Sequence, residues 1–219
     1  MPPEIILTED GSHSLLQGEL NETYHSVHGA IQESAHIFIE AGMKQCTKNQ
    51  LQIFEVGFGT GLNAFLTLLE SESTKQKITY TAIELYPLSN ESACLLNYPD
   101  LLSPDKKDVF YQLHTAPWYN HIQLSPHFEL YKVQEDFSSM TLAGQYDLIY
   151  FDAFSPDKQP EMWTEDRFRM LYKHCNPGAI LTTYCAKGIV RRALQSAGFS
   201  VERIPGPPGK REILRAWKE

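Results

Sequence analysis

The sequence predicts an α/β domain with a mainly parallel, three-layer sheet that finishes in an antiparallel strand pair. Three observations lead there. From Leu51 onward, short β-rich apolar runs alternate with segments of helical periodicity. The first run ends in a glycine cluster, Gly57-Phe58-Gly59-Thr60-Gly61, directly before an apolar helical face. The last two runs, Phe199 to Ile204 and Arg211 to Trp217, are separated only by the Pro- and Gly-rich Pro205-Gly206-Pro207-Pro208-Gly209 and Lys210, too short for a crossover helix.

Taken in order, Ile5-Ile6-Leu7 and Ser14-Leu15-Leu16 flank the turn-like Asp10-Gly11 and predict a hairpin. Gly29 to Met43 carries Ile31, Ala35, Phe38, Ile39 and Met43 at helical spacing. These elements make residues 1–50 a small N-terminal extension packing on a Rossmann-like domain over 51–219. Within that domain Leu51 to Val56 is a strand, Leu62 to Leu69 a helical face, and Ile78 to Ile83 a strand ending at Glu84. Pro87 to Asn97 predicts a helix with proline in its first turn. Asp100 to Leu124 is ambiguous and is assigned to helix and loop. Phe128 to Val133 and Tyr146 to Phe151 are strands, Pro160 to Cys175 a helix and Ala179 to Tyr184 a strand. Ile189 to Ala197 is a helix closed by Gly198.

At 219 residues and 42% hydrophobic content the chain fits one globular domain. No apolar run reaches the ~20 residues needed to span a bilayer. The start, Met1-Pro2-Pro3-Glu4, does not read as a signal peptide. Cys46, Cys94, Cys175 and Cys185 are scattered, which argues against a disulfide framework and for a reduced, cytoplasmic protein. His25 and His28 lie three apart, but no acidic or cysteine cluster completes a metal site, so none is expected. The net charge of −8 is unevenly spread. Lys187 to Glu219 holds eight Lys and Arg against three acids, a local +5, and Met1 to Ala186 holds eleven against twenty-four, a local −13. A basic end on an acidic body can present a local phosphate-binding face, although a solvated basic helix and strand give the same count.

The spacing of the glycines separates two cofactor classes. A dinucleotide fingerprint needs G-x-G-x-x-G. Here the third glycine comes one residue early, and Glu55 stands two residues before the first. An acid fits poorly beside a pyrophosphate. E-x-G-x-G-x-G resembles the first motif of class I methyltransferases, whose cofactor, S-adenosylmethionine, carries an ammonium and a sulfonium and no phosphate. Glu84 ends the next strand, where an acid reaches a ribose hydroxyl pair, and Glu135-Asp136 follows the strand after that, where the family places an acid near the adenine amino group. The expected cofactor-binding residues are Glu55, Gly57, Gly59, Thr60, Gly61, Asn63, Glu84 and Asp136, with Tyr24 and Ser26 from the N-terminal segment.

Asp152-Ala153-Phe154-Ser155-Pro156 follows the most apolar strand and resembles the D-P-P-Y/F motif of methyltransferases that act on amino groups. Methyl transfer is an in-line displacement, so the amine must aim its lone pair at the methyl carbon. Asp152 is placed to orient the amine and offset its developing charge, and Phe154 to pack on the substrate. The longer run Tyr150 to Pro156, with Lys158, Pro160 and Met162-Trp163-Thr164, is similar to the signature of one methyltransferase family. That family makes 5-methylaminomethyl-2-thiouridine at the tRNA wobble position. Gly188 to Gln195 with Ala197-Gly198-Phe199 matches its G-x-V-R-R-x-L-Q-x-A-G-F pattern. Gly209 to Leu214 matches its K-R-E-[ML]-L ending. Tyr24-His25-Ser26, Gly29, Glu33 and Phe38 are similar to its N-terminal segment, so the resemblance runs from about residue 20 to the end. It departs at Ala153, where glycine is common, and in the proline-rich loop 205–209.

The resemblance implies methylation of the primary amine of 5-aminomethyluridine in tRNA, with S-adenosylmethionine as donor. The best-known members are fused to an FAD-dependent oxidase domain. This chain ends at Glu219, so only the methylation half is expected, on a monomer without membrane or metal. Arg191, Arg192, Lys210 and Arg211 are the expected tRNA contacts, and one or two of Tyr24, Phe58, Phe154, Trp163 and Tyr184 can stack on a base. Two other functions fit parts of the pattern. A small-amine methyltransferase needs no basic end, and a non-catalytic cofactor- or RNA-binding module does not need Asp152.

Overall fold

The sheet is built around its two most apolar strands, which sit side by side at its centre. The structure, a computed structural model, describes residues 4–18 and 21–219. Met1-Pro2-Pro3 and positions 19 and 20, with the first residue of the family-like stretch, lie outside the described residues.

Three short strands open the chain: β1 (Glu4–Leu7), β2 (His13–Gln17) and β3 (Glu22–Thr23), joined as an antiparallel sheet in that order. The expected hairpin forms around Asp10-Gly11, with Ile5 opposite Leu15. Asp10 holds its turn through Oδ1, which accepts from Ser12 N at 2.9 Å. Its Oδ2 accepts from Gln32 N at 3.0 Å, which anchors the start of helix α1 (Ala30–Ser34) to the turn. After Ser34 the helix widens into a π-helical stretch, Ala35–Glu40, where Ala41 N donates to His36 O five residues back.

The main sheet has eight strands. They are β4 (Gln50–Val56), β5 (Lys77–Ile83), β6 (His121–Ser125), β7 (Phe128–Val133), β8 (Tyr146–Phe151), β9 (Cys175–Thr183), β10 (Ser200–Pro205) and β11 (Glu212–Trp217). Their order is β10-β11-β9-β8-β4-β5-β7-β6. The pairs β9–β8, β8–β4, β4–β5 and β5–β7 are parallel, and both edges are antiparallel. All six residues of β8 are buried, as a parallel strand covered on both faces requires.

Among the described residues there are seven α-helices: α1, α2 (Leu62–Thr74), α3 (Asn90–Cys94), α4 (Tyr98–Leu102), α5 (Lys107–Thr115), α6 (Glu165–Lys173) and α7 (Gly188–Ala197). One core gathers Phe38, Phe65, Phe110 and Tyr150 under α1, α2 and α5. The other gathers Phe54, Phe151, Phe168 and Leu194 under α6 and α7. Leu15, Ala30 and Phe38 of the N-terminal segment belong to the first core, together with Leu148 and Ile213 of the main sheet.

The expected α/β class, parallel centre and C-terminal antiparallel pair are all present. Several boundaries differ, β9 beginning at Cys175 rather than Ala179 among them, and three of the differences have a visible cause. The ambiguous 100–124 stretch contains β6, which adds a second antiparallel edge against β7. Its residues are mostly exposed or half-buried, so it lacks the apolar run that marks the inner strands. The helix expected from Pro87 starts at Asn90 instead, because Ser89 caps it by accepting from Ser92 N at 3.2 Å. The expected 160–175 helix is a 3-10 turn, Pro160–Trp163, followed by α6, since Thr164 takes extended backbone and caps the second piece.

Candidate active site

The carboxyl ends of β4, β5, β7 and β8 open into a cleft of about 780 Å³. The loop after β4 turns at Gly57, whose φ of +89° favours glycine. A Cβ there would lie 2.8 Å from the Asp152 carbonyl oxygen, so the close approach of the β4 and β8 loops depends on this glycine. Gly59, at φ +48°, donates its N–H to Glu84 Oε2 at 2.9 Å. Glu84 Oε1 accepts from Tyr86 N at 2.9 Å. The Glu84 carboxylate thus ties the glycine loop to the end of β5 and still faces the cleft. Gly61 is the residue that begins α2, in left-handed conformation, and is not among the described residues lining the cleft.

Thr60 is held from two sides. Its hydroxyl pairs with His25 Nε2 at 2.8 Å, and its carbonyl accepts from His114 Nε2 at 3.1 Å. Burial pushes both imidazoles down to about 4, so both are neutral at physiological pH. For His114 the nearby Lys132 ammonium adds to the effect of burial. Asp136 faces the cleft after β7, with Oδ1 accepting from Ser138 N at 2.7 Å.

Asp152 leaves β8 with its N–H on the Val56 carbonyl at 3.0 Å. Its Oδ2 accepts from Asn63 Nδ2 at 2.8 Å, and the same amide group donates to Glu55 Oε1 at 3.0 Å. Burial pushes the Asp152 carboxyl up to about 7; the Asn63 hydrogen bond opposes this, the Glu33 charge adds to it and Lys210 counters it. Glu55 is fully buried and held well above the usual carboxylate range by burial first, with the Asp152 charge adding to it. It does not line the cleft; its influence there passes through Asn63. Phe154 lines the cleft with Tyr24, ring centroids 5.1 Å apart at 72°. The Phe154 carbonyl accepts from Trp163 Nε1 at 2.8 Å, and Tyr184 OH donates to the Ala153 carbonyl at 2.9 Å.

Of the residues singled out from sequence, Tyr24, Ser26, Gly57, Gly59, Thr60, Asn63, Glu84, Asp136, Asp152, Phe154 and Lys210 come together around this one cleft. Arg191, Arg192 and Arg211 are not among the described residues lining it; Arg192 and Arg211 are exposed and Arg191 is half-buried. Lys210, expected on phosphate, points into the cleft and pairs with Glu33 at 3.0 Å. Sequence patterns alone gave Glu22 and Glu33 no role in the site. Glu33 had a signal, since it recurs in the family-like N-terminal block, but nothing in its spacing connects α1 to a loop 177 residues on.

The model of a family described as S-adenosyl-L-methionine-dependent methyltransferase matches residues 119–219. Across the whole chain, MNMC2 from Aquifex aeolicus superposes with a TM-score of 0.81 at 26% identity, covering 98% of this chain and 69% of that one. The chain belongs to the S-adenosyl-L-methionine-dependent methyltransferases. This methyltransferase is also 31% identical over 99% of its length to a tRNA 5-methylaminomethyl-2-thiouridine biosynthesis bifunctional protein, MnmC, of Cupriavidus metallidurans. The equivalent protein of Cupriavidus necator is 33% identical over the same 99%. The chain spans about a third of the length of these curated relatives, 35% of each. A spermidine synthase from Thermotoga maritima shares the fold, with a TM-score of 0.58 at 13% identity.

The methyltransferase cofactor is S-adenosylmethionine, and the cleft suits it. Asn63 Oδ1 is buried and finds no donor among the described residues, a vacant acceptor for an ammonium. Glu84 and Asp136 offer further lone pairs at the ends of successive strands. Among the described residues no group of three or more His, Cys, Asp or Glu is arranged to hold a metal ion, and no helix is long and apolar enough to cross a membrane.

Proposed function

We propose that this methyltransferase converts 5-aminomethyluridine, with or without 2-thiolation, to 5-methylaminomethyluridine at the tRNA wobble position. The relatives named for 5-methylaminomethyl-2-thiouridine biosynthesis support the substrate. The observation that carries the chemistry is Asp152, a cleft-lining carboxyl with a proton affinity raised to about 7. S-adenosylmethionine, when bound, supplies an electrophilic methyl on a sulfonium. Gly57, Gly59, Thr60, Asn63, Glu84 and Asp136 would hold it, with Tyr24 and Ser26 closing the mouth from the N-terminal segment. Glu55 supports Asn63 from below, and Gly61 starts the helix that carries it.

Asp152 accepts a hydrogen bond from the substrate amine through Oδ1, with Oδ2 fixed by Asn63. The nitrogen lone pair that Asp152 aims would take the methyl carbon that the cofactor supplies, the sulfur keeping the C–S electron pair. Asp152 offsets the ammonium charge and takes the released proton, which a carboxyl titrating near 7 can do and return to water. Phe154 and Tyr24 give the base an aromatic wall. Residues 1–50 act as an extension of the 51–219 domain, since Tyr24, Ser26 and Glu33 reach the cleft from it. The exposed arginines Arg192 and Arg211, with Arg191, are the proposed phosphate contacts. Cys46, Cys94, Cys175 and Cys185 are free thiols, which suits the cytoplasm, and the enzyme works there as a monomer.

The test is nucleoside mass spectrometry of tRNA from a strain lacking this protein, beside methyl transfer by the purified chain. Aminomethyl-modified wobble uridine should accumulate in the strain and be methylated in vitro. Unchanged wobble nucleosides, with free small amines methylated instead, would give the reaction to a small-molecule substrate.

A further inference from the structure

Two arms from opposite ends of the chain meet in the cleft that Asp152 lines. One is Glu33 of α1, buried, with Oε2 accepting from Ser26 N at 2.7 Å. The other is Lys210 on the loop between β10 and β11, whose ammonium lies 3.0 Å from Glu33 Oε1 and 5.1 Å over the Tyr184 ring. The loop is tight: a Cβ at Gly206 would sit 2.5 Å from the Lys210 carbonyl oxygen. His36, one turn beyond Glu33, donates Nε2–H to the Pro205 carbonyl at 2.8 Å and fastens the two arms together. Glu33, Lys210, Tyr184 and Asp152 all line the same cleft.

We propose that Glu33 and Lys210 form a positioning pair that fixes the charge state of the Asp152 carboxyl. The groups around Asp152 leave few others to do so. From the sheet it faces Glu55 and Tyr80, from α2 Asn63, and from the segment after β9 Tyr184. Burial disfavours the charged form of Glu55 and of both tyrosines. Asn63 has no charge. Glu33 and Lys210 remain, and they act on Asp152 in opposite senses: the carboxylate raises its proton affinity and the ammonium lowers it. Paired, they oppose each other on top of the rise that burial sets, and Asp152 stays able both to take a proton and to release it near neutral pH. Losing either partner leaves the other's charge unopposed. Lys210 is thereby a residue of the reaction centre rather than a phosphate contact.

The inference rests on Asp152 as the group that serves the amine, and the test separates the two. The carboxyl carbon of Asp152 is followed by ¹³C NMR in the full chain without substrate, assigned by its loss in Asp152→Asn. Lys210→Met should move the titration midpoint up and Glu33→Gln should move it down, each by on the order of half a pH unit or more. The double variant should return near the wild type, and Lys210→Arg should keep the wild-type midpoint. The acid limb of single-turnover methyl transfer should follow the same order. Midpoints that coincide in all variants, or that move in one direction in both, overturn the pair. Midpoints that move as stated while turnover ignores them uphold the pair and instead remove Asp152 from the reaction. Where Lys210→Met does not fold, the direction given by Glu33→Gln, against Lys210→Arg at the wild-type midpoint, decides.

Discussion

Asn63 holds Asp152 at 2.8 Å, a bond from the first turn of α2 to the loop after β8. The same side-chain amide spends its other hydrogen on Glu55 at 3.0 Å. Glu55, Asn63 and the distant Asp152 thus behave as one unit, with the glycine loop between Glu55 and Asn63 wrapped around it. One carboxylate oxygen of Asp152 is fixed by Asn63, and the proposed reaction uses the other for the substrate amine.

Loss of the Asp152 charge should slow the chemical step without loosening the cofactor. Asp152→Asn keeps the size and one acceptor but not the charge. A charge-assisted hydrogen bond contributes about 1.5–3 kcal/mol, so the rate should fall by roughly one to two decades. Asp152→Ala should cost more, because orientation goes too. Single-turnover methyl transfer and calorimetric affinity for S-adenosylmethionine, measured in parallel, check this. Near-normal turnover in Asp152→Ala would remove the residue from the reaction.

The same substitution should stabilise the fold at high pH. The folded Asp152 carboxyl titrates at about 7 against an ordinary 3.8, so the folded state binds this proton more tightly than the unfolded chain. Its stabilising contribution is complete below about pH 3.8 and is lost as pH rises through 7. Asp152→Asn should therefore be more stable than wild type at pH 8, by on the order of 2–4 kcal/mol, with the gap closing towards pH 4. His25 and His114 titrate the other way, losing stability as pH falls from 6.5 through about 4, and cancel in this comparison. Urea melts at both pH values give the two differences. An equal gap at pH 4 and pH 8 would contradict the raised carboxyl.

Glu55 should behave as a buried, protonated hydrogen-bond partner. Glu55→Gln keeps an acceptor for Asn63 and should leave cofactor affinity close to wild type. Glu55→Ala leaves an amide hydrogen of Asn63 without a partner and should destabilise by about 1–3 kcal/mol, with weaker cofactor binding. Thermal melts and calorimetry on both variants distinguish this support role from direct contact. A loss of affinity as large in Glu55→Gln as in Glu55→Ala would favour a charged contact.

Gly59→Val should abolish cofactor binding. The position has φ +48°, strained for a β-branched residue, and even a Cβ comes within 3.1 Å of the Tyr24 ring. Calorimetry with a folded Gly59→Val protein showing normal affinity would take the cofactor away from this loop.

Much of this site was legible because its parts sit at strand ends. Gly57, Glu84, Asp136 and Asp152 each close an apolar run, and in a parallel sheet all such ends meet on one edge. Glu55 was legible as a motif residue but not as a buried one, because its depth depends on Asn63 and Tyr80 covering it. The Glu33–Lys210 pair was not legible as a pair. It forms only when the N-terminal segment and the last loop fold over opposite sides of one cleft, and no local period encodes that. Strand β6 escaped because an edge strand has little apolar surface to bury.

The exposed arginines give the remaining prediction, and it differs in kind from those on the cleft. Arg192 on α7 and Arg211 before β11 stand in the +5 segment but outside the cleft lining, so neither should affect the chemical step directly. If they neutralise tRNA phosphates, each releases condensed counterions on binding. Arg192→Ala with Arg211→Ala should then weaken tRNA affinity and flatten its salt dependence, by a slope of roughly 0.7–0.9 for each phosphate left without its arginine. Single-turnover rates at saturating tRNA should stay near wild type, because Asp152, Asn63 and the Glu33–Lys210 pair are untouched. Filter binding across a salt series measures the first effect and quenched-flow methyl transfer the second. Unchanged affinity and slope in a folded double variant would move the tRNA to another face. A fall in the saturated rate with the slope intact would mean that these arginines shape the cleft rather than grip the backbone.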